Sequence, residues 1–109
     1  MAYNEVLAQR VREVLANERG LIEIKMFGGL AFMLRGNMSI GVLKDELIVR
    51  VGPKHYFKNL KKKYTRPFDL TGRPLTGFIY VNPAGLKTAK SLKPWVMMGA
   101  NFAKSLPAK

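Results

Sequence analysis

The sequence predicts an α+β fold: a two-layer, mostly antiparallel five-stranded sheet with helices packed on it, in the order α-ββββ-α-β-α. Three observations predict it. Between Leu21 and Val51, short apolar runs are joined by brief polar or glycine-containing connections, the pattern of an antiparallel meander. Helical periodicity is confined to the two ends and to a segment after Gly52-Pro53. Strands that cluster while helices sit mainly at the ends put the helices on one face of a sheet. No repeat, low-complexity tract or linker interrupts the chain, so residues 1–109 are read as a single domain.

Each element has its own reason. Asn4 is a plausible N-cap, and Val6, Leu7, Val11, Val14 and Leu15 recur at helical spacing after it, with Gly20 as the stop. This places a first helix at about 4–18. The first strand is Leu21 to Phe27 and the second Leu30 to Arg35. Gly36-Asn37 is expected to be the hairpin loop between second and third strands, because glycine supplies the positive φ of a primed turn. The third strand, Met38 to Leu43, sets Met38, Ile40 and Val42 against Ser39, Gly41 and Leu43. Lys44-Asp45-Glu46 turns the chain. The fourth strand then puts Leu47, Val49 and Val51 on one face, with Ile48 and Arg50 on the other.

Pro53 suits the first turn of a second helix, read over 53–63. Tyr56, Phe57, Leu60 and Tyr64 form its apolar stripe, and Lys54, Lys58, Lys61 and Lys62 a basic one. Residues 66–74 read as a loop from their proline and glycine content. Leu75 to Val81 is the fifth strand and Asn82-Pro83-Ala84-Gly85 a turn. The last helix begins near Thr88 or Ser91 with Pro94 in its first turn. Its stripe is Leu92, Trp95, Val96, Gly99, Phe102, Ala103 and Leu106, and Pro107 ends it.

Composition narrows the function. Hydrophobic residues at 48% and charged ones at 24% describe a soluble globular protein. No apolar run reaches the ~20 residues of a membrane span, and Met1-Ala2-Tyr3-Asn4-Glu5 has no signal-peptide character, which points to the cytoplasm. The absence of cysteine excludes disulfides and thiol chemistry. The formal net charge is +12, and all of it lies in residues 47–109, where thirteen basic residues meet one acid, Asp69. That asymmetry favours a polyanionic partner: nucleic acid, an acidic protein face or an anionic lipid surface.

Residues able to do chemistry are sparse. His55 is the only histidine and stands among lysines, where an exposed helix position explains it. Asp69 suits an Asx turn better than general acid–base work. One histidine and no cysteine make a zinc site unsupported, and no phosphate-loop motif occurs. Ser39 in Asn37-Met38-Ser39-Ile40-Gly41 lacks the first glycine of a nucleophile elbow, and a strand continues where a helix should start. Gly28-Gly29 could cradle an anion, but a bulge or tight turn explains the pair more simply. Met26, Phe27, Phe32, Met33 and Met38 are read as core rather than as an adaptable binding surface, and Trp95 as a core anchor. The expectation is therefore no catalytic residue, no metal and no cofactor. The candidate partner surface is Lys54, Lys58, Lys61, Lys62, Lys63 and Arg66, an uninterrupted basic run whose plainer reading is a solvated face. No helix-turn-helix, RNA-recognition or zinc-finger pattern supports sequence-specific reading.

The stretch from Lys25 to Gly41 carries a resemblance. Lys25-Met26-Phe27-Gly28-Gly29, then Phe32-Met33, then Gly36-Asn37-Met38 and Gly41 resemble the signature of the TfoX (Sxy) N-terminal domain family. Leu47 to Pro53, Arg66-Pro67-Phe68-Asp69, Thr71-Gly72-Arg73-Pro74, Gly77 to Val81 and Phe102 to Pro107 extend it over essentially the whole chain. The resemblance implies a two-layer domain similar in fold to type III secretion chaperones. It also implies a non-enzymatic competence-type regulator of transcription, acting with the cyclic-AMP receptor protein. The family's regulators carry a further C-terminal helical domain, and this chain reads as a short stand-alone member. Under the resemblance, the segment from Met26 to Gly41 is a strand–bulge–hairpin that fixes the centre of the sheet. Two other functions stay open from the residues: sequence-independent nucleic-acid binding through the basic helix, and a small-ligand binder or enzyme using Asp69 and Gly28-Gly29. A homodimer through an edge strand, such as the fifth, is also open; no membrane partner is expected.

Overall fold

Apolar alternation in the first half of the chain builds a sheet whose one face is closed by two helices. The computed structural model describes residues 3–26, 28–69 and 72–109. The helices are α1 (Glu5–Val14), α2 (Tyr56–Leu60) and α3 (Ala89–Ser105), and the strands are β1 (Leu21–Met26), β2 (Gly29–Leu34), β3 (Asn37–Leu43), β4 (Glu46–Arg50), β5 (Thr65–Pro67) and β6 (Phe78–Val81). They form one antiparallel sheet in the order β1-β2-β3-β4-β6-β5. The α+β class holds, with six strands rather than five. The extra strand, β5, overlaps the start of the segment read as a loop: it is three residues long, ends in Pro67, and exists through its pairing with β6.

The core lies between the sheet and α1 and α3. Phe32 and Leu34, Ile40 and Val42, Leu47 and Val49, and Ile79 and Val81 meet Leu7, Val11 and Leu15 from the N-terminal segment and Leu92, Val96, Ala100 and Ala103 from α3. Asn4 does cap α1, accepting from the Leu7 N–H at 3.1 Å, but the helix stops at Val14, short of the expected 18. Thr88 caps α3 through a capping box: its hydroxyl accepts from the Ser91 N–H at 3.1 Å, and Ser91 Oγ accepts from the Thr88 N–H at 3.0 Å. Thr88→Ala should cost about 1 kcal/mol, read as a lowered urea midpoint with an unchanged slope. Pro94 sits beyond the first turn of α3, on an exposed position where its missing hydrogen bond is tolerated.

Three local expectations are corrected. The β2–β3 loop is Arg35-Gly36, with φ of +54° and +82°, and Asn37 is already a strand residue opposite Leu34. Asn37 is buried, and its Nδ2 donates to the Pro107 carbonyl at 2.9 Å, which ties the hairpin to the chain after α3. Of the bulge or tight turn expected at Gly28-Gly29, the structure has the tight turn, between Met26 and Gly29, and the bulge lies elsewhere. Phe32 faces Ile40 while Met33 faces Met38, so Ser39 is the extra residue. Its hydroxyl donates to the Phe32 carbonyl at 2.8 Å. The bulge takes Met38 off the Ile40/Val42 face and onto the opposite one, beside Gly41. Finally, the Lys25–Gly29 hairpin lies at the rim of the sheet, because β1 is an edge strand, and β6 is interior, so the expected fifth strand offers no edge. Phe27 lies outside the described residues.

Candidate nucleic-acid interface

Gly52, at φ +85°, lets the chain leave β4, and Pro53 opens a 3-10 turn over Pro53–His55 that leads into α2. Tyr56 and Asn59 are buried and hold α2 against the sheet end, with Leu60 half-buried. Asn59 Nδ2 donates to the His55 carbonyl at 2.8 Å, and Thr65 Oγ1 donates to the Asn59 carbonyl at 3.1 Å. The expected apolar stripe is broken: Phe57 is 70% exposed and Tyr64 half exposed, because the five-residue helix turns Tyr56, Asn59 and Leu60 inward and Tyr64 lies beyond its end. The regular helix ends at Leu60, so Lys61, Lys62 and Lys63 stand on the turn that follows.

Lys54, Lys58, Lys61, Lys62 and Lys63 are all exposed. Among the described residues, none has a carboxylate oxygen within 4.0 Å. Lys62 Nζ stands 5.1 Å from the centroid of the half-buried Trp95 ring, a cation–π contact joining α2 to α3. His55, Lys58, Asn59 and Lys62 share a groove of about 250 Å³ with Met98 of α3. Lys87, Lys90 and Lys93, around the start of α3, are exposed as well, but Lys93 lies on the α1 side, in a groove with Arg10, Glu13 and Asn17.

Arg66 does not belong to this surface. Its Nη2 bonds Glu46 Oε1 at 2.5 Å, its Nη1 lies 3.6 Å from Asp69, and its guanidinium lies 4.0 Å from the Tyr80 ring centroid. The Glu46 hydrogen bond raises the Arg66 pKa further above any working pH. Burial raises the Tyr80 hydroxyl pKa, with the Arg66 charge opposing. This cluster ties β4, β5 and β6 together. It also accounts for Asp69, the one acid of the second half. Elsewhere Arg12 takes Glu23 and Lys104 takes Glu18.

The remaining motif residues are structural. Gly28 has φ +76° in the β1–β2 turn. A Cβ on Gly29 would lie 2.6 Å from the Val42 carbonyl oxygen, so that glycine permits close approach of β2 and β3. On the open sheet face, Ala31 and Gly41 lie opposite each other and floor an apolar groove of about 150 Å³. Met26, Met38, Ile48, Phe68, Leu75 and Phe78 wall it; Asp69 turns to Arg66 instead. Arg50 stands beyond Phe78, between its ring and that of Phe102 at 5.3 and 5.4 Å. Among the described residues no group of three His, Cys, Asp or Glu could hold a metal ion, and no helix is long and apolar enough to cross a membrane.

The family profile described as the TfoX N-terminal domain matches residues 13–103, from within α1 to within α3. The chain belongs to the TfoX N-terminal domain family. The match takes in the Lys25–Gly41 signature and the whole lysine-rich segment, so the TfoX fold is what presents that surface. No curated protein and no solved structure matches the chain significantly.

Proposed function

We propose that this TfoX N-terminal domain is a non-catalytic interaction module of competence-type transcriptional regulation, and that it engages the phosphate backbone of duplex DNA through its lysine face. One observation carries the DNA contact: Lys54, Lys58, Lys61, Lys62 and Lys63 are all exposed with no carboxylate oxygen within 4.0 Å among the described residues, while nearby Arg66 is paired with Glu46 and Asp69. The regulatory role rests on family membership. A backbone-directed surface of this kind binds without sequence preference and loses affinity steeply with salt. About four phosphate contacts would lower affinity roughly 10²-fold between 50 and 200 mM salt. Fluorescence anisotropy on duplexes of unrelated sequence is the measurement. Binding that is absent at the lower salt, or indifferent to salt, overturns the reading.

A second reading has its own support. The apolar groove on the open sheet face suits an apolar side chain of a protein partner, such as the cyclic-AMP receptor protein. Association with that protein that survives high salt, and is lost in Gly41→Leu but kept in lysine-face variants, is its signature.

A further inference from the structure

The two edges of the sheet are built differently. Edge strands of monomeric proteins are usually short, charged or blocked by proline, so that they do not pair with another chain. β5 follows that rule, with three residues ending in Pro67. β1 does not. It runs for six residues without proline or glycine, and on its open face Ile22 is 58% and Ile24 41% exposed. Its backbone is also oriented for pairing. The Gly20 carbonyl accepts from the Arg35 N–H at 3.3 Å, so the even-numbered residues turn their backbone groups towards β2. Leu21, Glu23 and Lys25 therefore turn theirs outward, where no strand of the sheet lies.

We propose that β1 pairs antiparallel with β1 of a second copy of this chain, about a two-fold axis at Ile24. The charge pattern selects the register. With Ile24 opposite itself, Glu23 of each copy faces Lys25 of the other, and Ile22 faces Met26. Opposite charges and apolar pairs directly across an antiparallel ladder are stabilising. An axis at Glu23 or at Lys25 sets like charges face to face, and one at Ile22 leaves both charges without a partner. In the chosen register the Ile24 pair is non-hydrogen-bonded, the geometry that brings side chains closest. The Glu23 carboxylate already takes Arg12 Nε and Nη2 at 2.7 and 2.8 Å, and its remaining lone pairs can accept the second copy's ammonium. Two paired six-residue edges bury less than the roughly 1,200 Å² of a standard interface, so association is concentration-dependent. α2 packs against β5 and β6, at the other end of the sheet, so the lysine surface stays free in the pair. The inference does not rest on DNA binding.

The chain has no cysteine, which makes the register testable by cross-linking. In Ile24→Cys, the two introduced residues lie about 4.5 Å apart at Cα, within disulfide reach. In Ile22→Cys they lie about 13 Å apart, beyond it. Mild oxidation should convert the first variant to a covalent dimer and leave the second monomeric, both with wild-type circular dichroism. Light scattering of the unmodified chain should move from monomer towards dimer mass as concentration rises, and Lys25→Glu should remove that shift. Equal cross-linking of both variants overturns the register. A constant monomer mass without cross-linking overturns the pairing.

Discussion

Gly99→Ala should destabilise the fold by about 2–3 kcal/mol, at the upper end of small-to-large substitutions, and lower Tm by roughly 10–15 °C. In most exposed helix positions the same change helps, because alanine is the better helix former by about 1 kcal/mol. Here α3 lies directly on the sheet. A Cβ at Gly99 would lie 2.7 Å from Ile40 Cδ1 and closer still to the Ser39 carbonyl oxygen. The side chain could move, but the carbonyl cannot. It belongs to the bulged residue of β3, whose hydroxyl is bonded to the Phe32 carbonyl. Relief needs α3 to lift, which loosens Val96, Ala100 and Ala103 from the core together. Urea unfolding followed by circular dichroism measures the loss. A Gly99→Ala variant as stable as wild type would mean that α3 does not sit on the bulge.

That contact shows what the sequence could and could not reveal. Periodicity of two in Leu47–Val51 and of three to four in Leu92–Ala103 was legible, because each pattern states which face is buried, whatever lies opposite. Gly99 was legible as a stripe position, but not as a contact with Ser39, because no local signal announces a bulge in β3. Turn positions slipped by one residue where the chain uses Arg35 at φ +54°, a conformation sequence rules reserve for glycine or asparagine. β5 was invisible, since three residues ending in proline have no periodicity of their own. The same limit shaped the site. Lys54, Lys58, Lys61, Lys62 and Lys63 were legible as an acid-free run. The ion pairs of Arg66 were not legible, because one of its partners, Glu46, is twenty residues away on β4. The edge character of β1, and the groove floored by Ala31 and Gly41, depend on strand order and register, which alternation alone does not fix.

The distinction between Arg66 and the lysines gives the sharpest functional expectation. Lys58→Glu, Lys61→Glu and Lys62→Glu together remove six charge units from a chain of formal net charge +12, all from one surface. The triple variant should elute from heparin near the salt of the starting buffer and lose duplex binding by at least roughly 10²-fold at low salt. Its fold should survive, because all three side chains are exposed and none is ion-paired among the described residues. The one structural cost is the Lys62 contact with Trp95, worth about 0.5–1 kcal/mol. Trp95 is the only tryptophan, so its emission reports that loss directly. Arg66→Ala should behave in the opposite way. It breaks the Glu46, Asp69 and Tyr80 contacts and lowers the urea midpoint. Its salt slope for DNA should stay at the wild-type value, because its charge is already neutralised within the fold. A single lysine-to-alanine change lowers that slope by about one, so the slope separates a phosphate-contacting cation from one held in the fold. If the triple variant binds as the wild type does, the lysine run is a solvated face and the domain meets its partner elsewhere. If Arg66→Ala flattens the slope while the triple variant does not, the contact lies on the β5 side of the molecule instead.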